Sequence, residues 1–98
     1  MPKIYIAGPM TGLPNFNRDS FHKASDYFTS KGYSVLNPAT LPDGLTSSEY
    51  MDICVAMVRC ADQVYFLEGW QKSAGAQAEY HLAVKLEKQI RYQEIQGS

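Results

Sequence analysis

Hydrophobic positions along the chain form short continuous runs that alternate with stripes at helical spacing. Residues 3–7 (KIYIA) are an apolar run of strand length, consistent with a buried β-strand. Phe21, Ala24 and Phe28 recur at helical intervals, and Gly32 ends that helix as the residue just past its C-terminus. Asn17 stands where a cap should be, with Phe16 and Phe21 forming a hydrophobic staple, and His22 and Lys23 fall on the solvent side. Residues 33–36 give a second strand closed by Asn37-Pro38, followed by a Pro42-Asp43-Gly44 loop. Thr46-Ser47-Ser48-Glu49 has the spacing of a capping box. The helix it opens carries Tyr50, Ile53, Cys54, Met57 and Ala61 on one face. Asp52 points about 200° away from Cys54 on that helix. Residues 63–67 (QVYFL) give a third strand, entered through Asp62. A last helix runs from Ser73 to Leu86, and residues 89–95 alternate weakly as a fourth strand. Strands alternating with helices predict one α/β domain over residues 1–98. It is a three-layer sandwich on a small parallel sheet of about four strands, flavodoxin- or Rossmann-like, with right-handed crossovers.

The last helix breaks its own pattern. Its apolar stripe is Gly75, Ala78, Leu82, Ala83 and Leu86, and Glu79 falls inside it. A carboxylate on the face meant for the core is costly unless it is paired or used. The alternative is a side chain at the edge of the stripe, with its stem packed and its head in water. Ser73 is the N-cap, and Gly75 and Ala76 follow in the first turn. Backbone N–H groups there lack helical partners and suit an anion.

Three loops collect at the C-terminal edge of the sheet, where open α/β folds bind ligands. Gly8, Pro9, Met10 and Thr11 follow the first strand: either a close backbone approach to a ligand with a hydroxyl on offer, or a plain strand-to-helix turn. Asn37 either bonds a ligand or closes an Asx turn, the turn being favoured by the residues alone. Trp70, after the third strand, either shields a ligand or covers the core edge. With Glu79 entering from the next helix, this convergence predicts a binding site.

Composition narrows the class. A net charge of −1 on 98 residues gives no bulk attraction to nucleic acid or anionic membrane. Hydrophobic residues at 45% and charged residues at 19% are ordinary for a soluble domain. No apolar run is long enough to span a membrane, no leader segment is evident, and a cytoplasmic location is the default expectation. Cys54 and Cys60 lie on opposite sides of one helix, unsuited to a disulfide, and read as two buried thiols in a reducing compartment. No Cys/His spacing points to a metal, and no cofactor is expected.

KIYIAGPM at the start, CADQVYFLEG in the middle and SAGAQAEYHLAVKL near the end resemble nucleoside 2-deoxyribosyltransferases and the related 2-deoxynucleoside 5-monophosphate N-glycosidases. Short phage and prophage members are the nearest in kind. The resemblance spans roughly residues 3–94 and rests on three motifs in order. It implies a small-molecule nucleoside or nucleotide as ligand, with hydrolysis or transfer at the N-glycosidic bond. It implies Glu79 as the nucleophile on the deoxyribose anomeric carbon, ionised beside the helix start, with Tyr5 next to it. It implies that Ser73, with Gly75 and Ala76 at that helix start, holds a phosphate. It also implies a homodimer or higher oligomer that builds sites across subunits. The family usually carries an aspartate eight residues before the one that opens the third strand, assisting proton transfer to the leaving base. Here that position is Cys54, and a thiol is a poorer acid or base at neutral pH. A second expectation follows: a fold that binds a nucleotide without turning it over.

Overall fold

A computed structural model describes residues 1–94. Its strands are β1 (Lys3–Ala7), β2 (Ser34–Leu36), β3 (Gln63–Phe66) and β4 (Gln89–Tyr92), and its helices are α1 (Arg18–Ser30), α2 (Ser47–Cys60) and α3 (Ala74–Lys85). The sheet order is β2-β1-β3-β4 and every pair is parallel. The chain therefore runs outward from β1 to β2, returns across β1 to β3, and continues to β4. This change of direction places α1 on one face and α2 and α3 on the other. The architecture is the α/β sandwich of flavodoxin-like type that the alternation of elements predicts.

Strand pleating sorts the core into two layers. Tyr5, Ala7, Val64 and Phe66 pack with Cys54, Val58 and Ala61 at α2 and with Ala83 of α3. Ile6 and Leu67 pack with Phe21 of α1 and with Ala39. β1 is buried from Ile4 to Ala7, as a central strand covered on both faces must be.

Several local expectations change. The strand expected to begin at position 33 begins at Ser34, and the third strand ends at Phe66. Of the expected fourth strand, Gln89 to Tyr92 pair; Ile95 lies outside the described residues. Asn17 does occupy the cap position of α1, but its side chain makes no cap bond. Its amide donates instead to the Pro9 carbonyl at 2.9 Å. Asn15, Phe16 and Asn17 are all left-handed, with φ of 49°, 54° and 60°. This sharp turn leaves Phe16 half exposed while Phe21 is buried, so the expected staple pairs a surface ring with a core ring. The buried stripe of α3 is Ala76, Glu79 and Ala83, while Ala78 and Leu86 face out. Two alanines bound the stripe, and their small side chains let the helix approach closely enough to bury the glutamate between them. Cys60 is exposed, contrary to expectation, because α2 turns only Cys54 and Val58 fully inward. Among the described residues no helix is long and apolar enough to cross a membrane.

Candidate active site

The site is assembled by β1, α2 and α3. In α3 the Ser73 hydroxyl accepts from the Ala76 N–H at 3.2 Å, fixing where the helix starts. Six residues on, Glu79 points at the sheet and is only 6% exposed. Tyr5, on the face of β1 that meets α2 and α3, donates its hydroxyl to Glu79 Oε2 at 2.7 Å. The Cys54 thiol of α2 completes the group, within hydrogen-bonding reach of Glu79, Tyr5 and Tyr50. The capping box of α2 is formed in both directions, Glu49 N–H to Thr46 at 3.1 Å and Thr46 N–H to Glu49 at 2.9 Å. It sets the start of the helix on which Tyr50 and Cys54 share a face, four residues apart.

Burial governs the electrostatics. Loss of water lifts the Glu79 carboxyl to about 7, although hydrogen bonds from Tyr5 and Cys54 pull it back down. The sequence expectation of a carboxylate kept ionised by the helix start is corrected here: Glu79 sits in the second turn, and desolvation outweighs the helix end. Burial also lifts the Cys54 thiol to about 11, so it is a protonated group at neutral pH. The Tyr5 phenol is raised well above its usual range by burial and by the Glu79 charge, which makes it a fixed donor. Tyr50 is raised by burial and by its neighbours Cys54 and Glu79.

A cleft of about 560 Å³ opens beside Glu79, a size suited to a small organic ligand. Of the residues singled out from sequence, Tyr5, Gly8, Met10, Thr11, Ser73, Gly75, Ala76 and Glu79 line it. The remaining four sit elsewhere. Cys54 lies fully buried behind the wall, touching the cleft only through its neighbours. Asn37 closes the Asx turn, accepting from the Ala39 N–H at 3.0 Å, and its amide meets His22 at 3.2 Å. Of its two readings, the turn is the one formed. Pro9 contributes its carbonyl to Asn17, outside the cleft. Trp70 stacks on Tyr80 at 4.9 Å and packs beside Phe66 and Tyr92, so it covers the core edge rather than a ligand. Gly8 is needed for packing as well as for the cleft. A Cβ there would lie 2.8 Å from the Leu67 Cβ.

Among the cleft residues that sequence reasoning did not assign to a site, Tyr50 and Arg18 matter most. Tyr50 reads as part of an apolar helix face, yet its hydroxyl reaches the Met10 sulfur at 2.8 Å and the Pro38 carbonyl at 3.3 Å. Arg18 carries no motif, and only the left-handed turn before it brings its guanidinium to the rim.

Fold and site together define a class: a flavodoxin-like α/β protein with one buried carboxyl at the carboxy-terminal edge of a parallel sheet. The chain belongs to the family described as Domain of unknown function (DUF4406), which it matches over residues 2–92. Among solved structures it is similar to a 2-desoxiribosyltransferase from Leishmania mexicana, with 19% sequence identity and a TM-score of 0.76. That likeness covers 94% of this chain and 63% of the other, so the chain spans less than two thirds of that protein's length. A search of curated proteins finds no match.

Proposed function

We propose that the cleft binds a 2-deoxynucleoside or its monophosphate and that Glu79 acts on the N-glycosidic bond. The observation that carries this reading is the Tyr5–Glu79 pair, a buried carboxyl held by a 2.7 Å hydrogen bond at the wall of a ligand-sized cleft. The likeness of the fold to a deoxyribosyltransferase supports it, as do the motifs quoted from the sequence. In this reading a Glu79 carboxylate oxygen bonds to the anomeric carbon as the carbon–nitrogen bond breaks. The bond pair leaves with the base, which takes up a proton. Water or a second base then displaces Glu79 from the sugar and releases the carboxylate. Tyr5 orients the attacking group and, by donating its hydrogen bond, favours the ionised form. Ser73 and the free N–H groups of the first turn of α3 face the same cleft and suit a phosphate.

The proton for the base is the weak point of the arrangement. Cys54 holds its proton to about 11 and lies behind the wall. Among the described residues the other carboxyl of the cleft is Asp43, paired with Arg18. The departing base then takes its proton from water, and this favours substrates with good leaving groups. The same observation favours a second reading, in which the protein binds a nucleotide without consuming it. Incubation with a panel of 2-deoxynucleosides and their monophosphates decides between them. Free base in excess of a Glu79→Ala control is expected. Tight binding with no base released would establish the second reading, and neither binding nor release would refute both.

We also propose that the protein works as a homo-oligomer. Tyr27, Val84, Leu86 and Tyr92 expose large apolar area on a small fold.

A further inference from the structure

Arg18 is the cation of the cleft: among the described residues lining it there is no lysine, histidine or second arginine. The left-handed turn before α1 prepares it. Its guanidinium carbon sits 5.0 Å from the Phe16 ring centroid, and Nη1 donates to Asn15 Oδ1 at 3.2 Å. Nη2 donates to Asp43 Oδ1 at 2.6 Å, joining the start of α1 to the loop between β2 and α2.

The two partners of this ion pair are held very differently. The Arg18 side chain is 25% exposed, whereas that of Asp43 is 82% exposed. Asp43 is followed by Gly44 at φ 95°, in an irregular loop. An exposed carboxylate gains little from such a pair and gives it up cheaply. A guanidinium, by contrast, is a planar fork of donors that matches phosphate oxygens as well as carboxylate oxygens. The position is also right. Arg18 and Glu79 both line the one cleft, with Tyr50 in the same lining.

We infer that Asp43 is a placeholder, and that Arg18 anchors the phosphate monoester of a nucleotide ligand, whose oxygens displace Asp43 from the guanidinium. This rests on the nucleotide reading above and adds a charged anchor to the neutral donors that the start of α3 offers in the same cleft, so that the charge selects a nucleoside monophosphate over the nucleoside. Binding then exchanges one anion for another on a guanidinium already oriented by Asn15 and Phe16, with little ordering left to do.

Calorimetric titration of the full chain tests this, using 2-deoxynucleoside monophosphates and the matching nucleosides against wild type, Arg18→Gln and Asp43→Asn. The ratio of nucleotide to nucleoside affinity should fall about tenfold or more in Arg18→Gln. It should rise about two- to fivefold in Asp43→Asn, where the competitor is gone. An unchanged ratio in both variants overturns the inference and leaves the cleft a nucleotide site. Failure of wild type to bind either ligand class overturns the inference and the reading beneath it. Asp43 is mostly exposed, so that variant folds even if Arg18→Gln does not. A ratio that stays level or falls in Asp43→Asn alone is sufficient refutation.

Discussion

Glu79 is the residue at which the proposed function opposes stability. Its carboxyl titrates near 4.5 in the unfolded chain and near 7 in the fold. Below pH 4.5 both states hold the proton and the burial is free of charge. Between those values the folded state binds more protons, so stability falls as pH rises and is lowest once both states are ionised. The penalty at pH 8 is about 3 kcal/mol at most. Glu79→Gln should therefore be more stable than wild type at pH 8 by up to that amount, and equal to it near pH 4, as read by urea unfolding at the two pH values. It should also release no base. If the proposed activity holds, kcat/KM of the wild type should rise with pH through about 7, as the Glu79 carboxyl ionises. Tyr5→Phe removes the hydrogen bond that lowers this carboxyl, so the midpoint of the pH profile should move upward while kcat falls. A midpoint that stays in place would mean that the Tyr5 hydrogen bond does not tune the Glu79 carboxyl.

At the scale of elements, local signals were legible where one residue governs one bond. The Thr46–Glu49 box, the Ser73 cap and the Asn37 turn all form as spacing predicts. The left-handed run from Asn15 to Phe16 and Asn17 was not legible, because a bulky Phe stands between the two Asn and no Gly marks such a backbone there. Arg18 was lost with it. The stripe of α3 was misread for a different reason: alanines are neutral in periodicity, so the choice between Ala76 and Ala78 as the buried side was set by packing against α2. The close approach of the loop after β1 to Leu67 makes a sharp prediction. Gly8→Ala places a Cβ 2.8 Å from another Cβ fixed to its own backbone. Neither atom is the far end of a flexible chain. The substitution should cost about 1–3 kcal/mol, seen as a lower urea midpoint with an unchanged slope.

For the whole molecule, the alternation of elements carried the fold class, a parallel sheet between helix layers, while the order β2-β1-β3-β4 came from the structure. The candidate site was legible as far as chain order could bring Glu79 and the loop after β1 to one sheet edge; Tyr5 came only from the resemblance of the first motif. It was not legible where tertiary contact decides, as with Trp70 in its aromatic stack and Cys60 on the surface. Self-association belongs to this scale. Light scattering at micromolar concentration should give the mass of a dimer or larger assembly, and a mass of 11.0 kDa would refute it.

Tyr5 and Ile6 belong to opposite layers of the sandwich, one facing α2 and α3, the other facing α1. If β1 paired one position out of step, the phenol would turn toward Phe21 and a branched alkyl group would meet the acid. Partners 74 residues apart in sequence meet only when the central strand is seated in its native frame. Turnover by the proposed reaction would then measure correctly threaded molecules and nothing else, an internal assay of folding fidelity that spectroscopy of helix content would not provide.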